Sequence, residues 1–551
     1  MNTKFIDFLF AFLVFSLPFK YIPRVFWQTL LGGPFGQDLV VYPLLIGFIY
    51  TAYCQWKYKN VIYKWNFFKK FIFAYLAVLL ISLAWGLFNY PYYEQILNGP
   101  ADQIEKLPKV LAILHGIGIP VAEKTLLEIW MFARPIKAVF FETLYTFGAA
   151  YMIFCWYHAR AQRAIDILLK VTTVDLIIVA AYGLVDVCYQ NGQMWAQNTL
   201  IVLNQIIHAN VTIHPFPGES VTMMFRDAQN RSLFLEPSYF GIFMVFAYPL
   251  LCLKIFQAQS LTKKIALLAL FGIITFELFL SQSRLALAVN FGVFLLLAGS
   301  CLYRMQRELT IFLVSVCIVG GLAFGSAMAF LQYEQVPAEL GDWYPLATKF
   351  KEESQVDQLE KGVKNTSVGG YFHEGLGSLS NDYKAGQHAG SNHSRYTIQR
   401  NHIDIGLEHP LLGVGTNLRQ GYLRDKLDKD PGDEIQIWNK MIDKKGLLGG
   451  GFPDLGEFTL HFAETGALGL AFYLSPAFIL LCLFAKVLLR RKTEAHKVAP
   501  VLFIALSFMG MMATGFGEGI NITFCYWLDM AIGYLIMHKD EKQIRFIRLG
   551  D

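Results

Sequence analysis

Charged residues are scarce in this sequence. Only 16% of its 551 residues are Asp, Glu, Lys or Arg, whereas 55% are hydrophobic. An ordinary soluble domain carries about a quarter charged residues, so the deficit indicates that lipid surrounds much of the protein. The net charge of +5 does not by itself indicate a nucleic-acid partner, because the Lys and Arg residues of membrane proteins collect in cytoplasmic loops. We therefore expect the lipid bilayer as a partner and no nucleic acid.

The motifs of nucleotide and metal chemistry are also missing. The sequence contains neither a GxxxxGK[ST] phosphate loop nor an HExxH zinc motif, which argues against a P-loop motor and a zinc hydrolase. Its eight cysteines lie in or at the ends of apolar runs and form no CxxC pair, so we expect no disulfide framework and no zinc site. The sequence therefore predicts neither a cofactor nor a metal.

Long apolar runs dominate what remains. A helix of roughly 18 or more apolar residues spans the hydrocarbon core of a bilayer, and the sequence predicts an all-α polytopic membrane protein with about twelve such helices. The predicted spans lie near 5–21, 38–54, 71–88, 137–157, 165–187, 238–256, 264–281, 285–302, 309–330, 460–485, 498–516 and 521–537.

Charge in the joins predicts the orientation. The joins after even-numbered spans, and the C-terminal tail, are short and basic, which places them and both termini in the cytoplasm. The outward joins include three long ones, 89–136, 188–237 and 331–459. We predict that 1–330 holds spans one to nine, that 331–459 is a large external loop domain between spans nine and ten, and that 460–551 holds spans ten to twelve with a cytoplasmic tail.

Three polar residues lie at predicted outer ends of spans six and eight. Arg284, in FLSQSRLALAVNF, begins span eight on the outward side, where a guanidinium could hold phosphate by paired hydrogen bonds or extend towards lipid headgroups. Arg231 and Glu236, in RSLFLEPSYFGIF, precede span six. Glu236 has an alternative role as a carboxylate at a helix N-terminus.

The stretch RYTIQRNHIDIGLEHPLLGVG, at 395–415, is a polar helix inside the external insert. We predict that Ser394 caps it and that it ends near Glu408. Arg395, Gln399 and His402 then share one face, which is either a functional surface or an ordinary solvated one. The two glycines that close the stretch suit any tight turn and are weak grounds for a phosphate site.

Four ionisable residues cluster where the insert enters span ten. They are Asp454, Glu457, His461 and Glu464, in GFPDLGEFTLHFAETGALGL. Two or three acids and a histidine at the mouth of a membrane enzyme are candidates for a general base or for sugar-hydroxyl binding. The alternative is an interfacial polar cap on the helix.

Taken together, four motifs resemble the O-antigen ligase and polymerase superfamily of bacterial envelope enzymes. They are FLEPSYFG (234–241), SQSR (281–284), SRYTIQRNHIDIGLEHPLLGVGTN (394–417) and AETGALGL (463–470). The resemblance implies a metal-independent, inverting, membrane-embedded glycosyltransferase whose donor is a glycan on undecaprenyl diphosphate. It also implies that Arg284 and Arg395 hold the diphosphate.

The remaining candidates complete the predicted site. Arg231 joins the two arginines in binding diphosphate; Glu236, His461 and Gln399 bind the sugar or acceptor; and the catalytic candidates are Glu457, Asp454, His402 and Glu464. The family often carries a His-Asn pair nine residues before the glutamate of AExG, but this chain has Leu455 and Gly456 there. The assignment of the base therefore stays open.

The absent histidine favours a polymerase of lipid-linked repeat units over a ligase that transfers the glycan to another acceptor. Two further classes remain as alternatives, a lipid-linked oligosaccharide transporter and a non-catalytic assembly partner. The resemblance implies the bacterial cytoplasmic (inner) membrane, an outward-facing active site, and other polysaccharide assembly proteins, such as a flippase or a chain-length regulator, as partners.

Overall fold

Helices account for nearly all the regular structure in the described part of the chain. The computed structural model describes residues 2–19, 38–57, 66–99, 103–104, 107–207, 211–213, 221–223, 229–234, 236–332, 391–428, 433–449, 451–490, 493–517 and 524–548. Most of the segment 333–390, the first half of the predicted external domain, therefore lies outside the described residues.

The elements follow one another along the chain with short connections. Those of the first 332 residues are α1 (Thr3–Phe15), α2 (Val41–Lys57), α3 (Asn66–Phe88), α4 (Tyr93–Leu97), α5 (Leu107–Gly116), α6 (Glu123–Thr143), α7 (Ala149–Tyr157), α8 (Ala161–Gln190), α9 (Met194–Ile207), β1 (Val211–Ile213), β2 (Val221–Met223), α10 (Pro237–Gln257), α11 (Leu261–Leu280), α12 (Arg284–Arg304) and α13 (Arg307–Gln332). The later ones are α14 (Ser391–Glu408), α15 (Gln420–Asp425), α16 (Asp433–Gly449), α17 (Glu457–Leu488), α18 (Ala495–Thr514) and α19 (Cys525–Arg548).

A helix lies at each of the twelve positions predicted to span the membrane. Seven of the described helical segments are long and apolar enough to cross a bilayer by themselves, which confirms a multi-helix membrane protein. They are Lys70–Phe88, Glu123–Tyr157, Pro237–Gln257, Arg284–Arg304, Arg307–Leu331, Glu457–Leu488 and Ala495–Thr514. The count of twelve spans stays a prediction.

The fourth predicted span differs from the structure at its start. Helix α6 begins at Glu123, inside the segment assigned to an external loop, and continues through a π-helical turn at Leu144–Gly148 into α7. Thr146 interrupts the helical dihedral angles in that turn, with φ −108° and ψ −109°. Such π turns widen a helix locally and often accompany functional sites. The small antiparallel hairpin of β1 and β2, which pairs Thr212 with Thr222, also lies in a predicted external join.

Burial separates central helices from peripheral ones. In the most apolar stretch of each helix, 83% of α10 and 72% of α18 is buried, against 17% of α12 and 22% of α13. Helix α10 packs on α8, α11, α12 and α18, and it is apolar on every face, as a fully enclosed helix must be. The exposed apolar faces of α12 and α13 are the surfaces that lipid must cover.

The two ends of α12 carry arginines with different surroundings. Arg284 is the first helical residue and is exposed, after Ser283 in an extended conformation. Arg304, at the other end, is buried and donates hydrogen bonds to the backbone carbonyls that follow α17. Its acceptors are the oxygens of Leu488 (2.5 Å), Arg490 (3.3 Å) and Thr493 (3.5 Å). A cation at a helix C-terminus satisfies free carbonyls and offsets the helix dipole, so Arg304 locks these two helices together.

Candidate active site

Helix α17 is broken near its start by Gly466. This residue has φ 66° and ψ −171°, a conformation that only glycine adopts readily. A break exposes backbone groups that a membrane protein must satisfy internally, and the segment 410–415 satisfies them. Its hydrogen bonds join Val414 N to Ala463 O (3.0 Å), Gly415 N to Glu464 O (2.8 Å), Ala467 N to Pro410 O (2.8 Å) and Leu468 N to Leu411 O (3.3 Å).

The two glycines of PLLGVG are required by this backbone pairing. Gly413 and Gly415 both have positive φ, 65° and 94°. A Cβ at Gly413 would lie 2.4 Å from the carbonyl carbon of Glu464, which leaves no room for a side chain. The glycines therefore form a close backbone contact with the broken helix, in agreement with the weak weight given to a phosphate loop.

Helix α3 closes the other side of the same loop. The hydroxyl of Ser82 donates to the carbonyls of Leu412 (2.5 Å) and Glu464 (3.0 Å). A Cβ at Gly86 would lie 2.1 Å from the carbonyl oxygen of Val414. The loop is thus clamped between α3 and α17, and a helix from the first third of the chain helps to build the site.

Arg419 lies at the centre of this construction and was missed by the sequence analysis. Its side chain is buried and forms ion pairs with Asp454 and with Glu464, the latter at 2.5 Å from Nη1 to Oε1. Next to it, Gln420 donates to Phe452 O (3.1 Å) and accepts from Phe452 N (2.8 Å). These two residues fix the segment that carries Asp454 onto the broken helix. The only sequence signal was a charged residue in the otherwise uncharged stretch LLGVGTNLRQGYL, 411–423.

A second polar group is buried one turn away on α17. His461 Nε2 lies 3.3 Å from Glu457 Oε1, as the shared helical face predicts, and its Nδ1 lies 3.9 Å from Glu142 Oε1. The ring of Tyr473 packs on the histidine at a centroid distance of 3.8 Å and its hydroxyl donates to Glu457 at 3.1 Å. Tyr75 donates to Glu142 at 3.0 Å.

Glu142 was not a predicted site residue, because its sequence neighbours are apolar and belong to no motif. It is the second-last residue of α6 before the π turn, and tertiary packing alone brings it to α17. Among the described residues, no group of three His, Cys, Asp or Glu side chains has an arrangement suited to a metal ion.

Helix α14 packs along α17, with the predicted polar face against it. His402 is fully buried, and neither ring nitrogen has a hydrogen-bond partner in the described part of the chain. Burial, and then the nearby charge of Arg419, lowers the pKa of His402 well below the ordinary histidine value. Gln399 is half-buried against Gly456, where a Cβ would meet its side chain at 2.8 Å. Arg395, one turn earlier, is half-buried.

One prediction for this helix was wrong. Helix α14 begins at Ser391, so Ser394 is not its N-cap, and its side chain is fully buried. The predicted end at Glu408 is confirmed.

The start of α12 meets the same region. A Cβ at Gly517 would lie 2.9 Å from Leu285 Cδ2, and Glu457 N donates to Gly515 O at 2.9 Å. The ends of α12, α14, α17 and α18 therefore converge, and we call this surface the rim, comprising residues 284–285, 395–399, 454–457 and 515–517. Arg284, Arg395, Gln399, Asp454 and Glu457 all belong to it.

The two candidates that precede α10 lie elsewhere in the fold. Arg231 is buried against α8, with its backbone N donating to Asp186 Oδ2 at 3.4 Å. Glu236 is half-buried at the N-cap of α10 in an extended conformation, and it accepts a hydrogen bond from Ser238 at 3.2 Å. The contacts described for these two residues are to α8 and α10, not to the rim.

Exposure separates the four catalytic candidates. The side chain of Asp454 is 66% exposed, whereas Glu457, Glu464 and His402 are buried. A base must reach the proton that it removes. Asp454 is therefore the candidate that an incoming hydroxyl could contact directly, and Arg419 holds it in place.

Comparison with known proteins finds one family. Residues 267–451, about a third of the chain, match the family model described as O-Antigen ligase. The matched range runs from α11 to the end of α16, so it includes the SQSR motif and the motif at 394–417 but not FLEPSYFG or AETGALGL. No curated protein sequence shows a significant match to the chain.

Proposed function

The match over residues 267–451 supports placing this chain in the O-antigen ligase/polymerase superfamily, and on that basis we propose that it is a polysaccharide polymerase of a bacterial cytoplasmic membrane. Its substrates are oligosaccharide repeat units on undecaprenyl diphosphate, which it joins at the outer face. Both termini lie in the cytoplasm, and the rim faces outward. The family match is the observation that carries the proposal.

The rim residues divide the work of an inverting transfer. An acceptor hydroxyl attacks the anomeric carbon of the donor sugar, and the bond from that carbon to the diphosphate oxygen breaks. The diphosphate leaves with the bonding electron pair, and Arg284 and Arg395 neutralise its charge, as guanidinium groups do well because they bond paired oxygens. No metal ion is needed for this neutralisation.

We propose Asp454 as the group that accepts the hydroxyl proton. Its exposure at the rim supports this role, and its ion pair with buried Arg419 fixes its orientation. The pairing also weakens its basicity. A weak base suffices, because the proton becomes acidic only as the new bond forms in a transition state with oxocarbenium character. Glu464 then serves to balance Arg419 rather than to react.

Polymerase is preferred over ligase because Leu455 occupies the position where the family often has a histidine, and this leucine is buried. The test is a gel of lipid-linked glycans from a deletion strain. Single repeat units on the lipid are expected. Long lipid-linked polymer would instead indicate a ligase. Repeat units confined to the inner leaflet would indicate a transporter, an alternative that the fully buried carboxylates Asp175, Glu277 and Asp529 keep in view.

Complementation of that strain tests the residues. Asp454→Asn should lower polymer synthesis by about 100-fold or more at equal protein level, as loss of a general base does. Asp428→Asn is the matched control, because Asp428 is another exposed aspartate paired with an arginine, Arg400. Normal polymer from Asp454→Asn would remove Asp454 from the mechanism.

The diphosphate role has its own pair of variants. Arg395→Ala should lower synthesis by about 100-fold or more, the usual effect of removing one charge-stabilising donor. Arg400→Ala, on the same helix but exposed and paired with Asp404 and Asp428, should leave synthesis unchanged. Equal activity of the two variants would contradict the assignment.

A further inference from the structure

A pocket opens beside the Arg419 site, where α4, α6 and α16 meet the segment that follows PLLGVG. Its empty volume, part of it open to solvent, is about 380 Å³, near the lower limit for small-molecule sites. Its polar lining consists of Tyr90, Tyr93, Arg134, Asn417 and Gln420, and its other walls are apolar side chains and Gly-free backbone of α3, α4, α6 and α16.

Arg134 is the one charged residue among the described residues that line the pocket. It is half-buried on α6, and its hydrogen bond to Leu448 O is long, 3.4 Å from Nη1. No carboxylate of the described residues lies within ion-pair distance of it. Glu464 is close enough to act on its charge, but that carboxylate is already bonded to Arg419. A guanidinium has five N–H donors in a planar fork, so Arg134 retains donors that a carboxylate could take.

The rest of the lining suits a sugar. Tyr90 and Tyr93 pack edge to face at a centroid distance of 5.3 Å, and tyrosine rings combine an apolar face with a polar hydroxyl. The amides of Asn417 and Gln420 can donate to and accept from hydroxyl groups. A pocket of apolar and aromatic walls with a few fixed polar groups is the usual form of a specific small-molecule site.

The pocket is coupled to the reacting region through Gln420. This residue lines the pocket and also bonds both backbone groups of Phe452, two residues before Asp454. A sugar in the pocket would therefore lie next to the segment that carries the proposed base. That position fits the glycan that supplies the attacking hydroxyl rather than the diphosphate of the donor.

We propose that this pocket binds a carboxylate-bearing sugar of the acceptor glycan, with Arg134 paired to the carboxylate. The inference rests on the proposed polymerase for the word acceptor, and it adds the substrate class that the family leaves open. Arg134 is then a specificity residue: it selects acceptors with an acidic sugar and takes no part in the bond-making step.

Binding to the purified full-length protein in detergent tests this without any turnover. The probes are glucuronate, glucose and inorganic pyrophosphate, followed by saturation-transfer NMR titration. Glucuronate should bind about tenfold more tightly than glucose, the value of one modest charge-assisted pair. Arg134→Gln should lower the glucuronate affinity to that of glucose. Arg424→Gln, which removes a partly exposed arginine paired with Asp443, should not change it.

Two results would overturn the inference. One is equal affinity for glucuronate and glucose, or glucuronate binding that Arg134→Gln leaves intact. The other is displacement of glucuronate by pyrophosphate in the wild type but not in Arg134→Gln, which would assign Arg134 to the donor diphosphate. Neither result bears on the gel of lipid-linked glycans, so a failure here is distinguishable from a failure of the polymerase proposal.

Discussion

His402 shows how far a single side chain can depart from its sequence context. It lies in a polar helix and was a candidate base, yet it is fully buried without a hydrogen-bond partner in the described residues. An unpartnered buried polar group costs stability. We expect His402→Leu, which is similar in volume, to keep polymer synthesis and to leave the free energy of unfolding unchanged or raised by about 1 kcal/mol. Loss of synthesis in a folded variant would restore His402 as the base.

The same residue predicts a pH dependence. Because the pKa of His402 is lowered in the folded state, the folded chain keeps it neutral while the unfolded chain binds a proton below about pH 6.5. The free energy of unfolding therefore falls as the pH drops below about 6.5, by up to about 1.4 kcal/mol per pH unit. Thermal unfolding in detergent at pH 8 and pH 5.5 should show this loss. His402→Leu should reduce it and a His409→Leu control should not.

Sequence reasoning located the right stretch here but not the role of each residue. The polar pattern of 395–408 predicted a helix and its end correctly. It could not show that α17 covers one face, although the contact is close: a Cβ at Gly406 would lie 2.3 Å from the ring of Phe462. Arg419 was missed for a related reason, since its partners Asp454 and Glu464 are 35 and 45 residues away in sequence.

The break in α17 depends on an element that no local pattern reveals. AETGALGL was predicted as the uninterrupted start of a span, and Gly466 breaks it because PLLGVG, more than 50 residues earlier, supplies the missing hydrogen bonds. Helix α3 holds that loop in turn. Hydropathy predicted α3 as a span near 71–88, but it gave no sign that Ser82 and Gly86 contact the loop.

Gly86→Ala tests this clamp. The new methyl group would overlap the carbonyl of Val414, so we expect a loss of about 1–3 kcal/mol in unfolding free energy, the usual cost of overpacking, together with reduced polymer synthesis. Gly299→Ala is the control, because that helical glycine faces open space and alanine there should stabilise by about 0.5–1 kcal/mol. Thermal unfolding of the two purified variants makes the comparison. Equal melting temperatures would show that α3 does not clamp the loop.

Across the whole molecule, hydropathy alone predicted where helices lie, since lipid imposes that pattern on any spanning chain. It could not rank the helices by burial, because α10, α12 and α13 are all strongly apolar while α10 is enclosed and the other two are exposed. The sidedness of the bundle rests on the basic joins, and the outward position of the rim depends on it.

Cysteine labelling of a cysteine-free background tests that sidedness. Ser260 lies exposed in the join between α10 and α11, which is predicted to be cytoplasmic, and Asp428 lies exposed after α15 in the predicted external domain. In spheroplasts, a membrane-impermeant maleimide should label Asp428→Cys at once and Ser260→Cys only after permeabilisation. The opposite pattern would place the rim in the cytoplasm, where an enzyme using exported lipid-linked glycans could not act. The positive-inside rule counts Lys and Arg in short joins, and Lys254, Lys263 and Lys264 flank Ser260, so this join is where the rule makes its clearest statement about the chain.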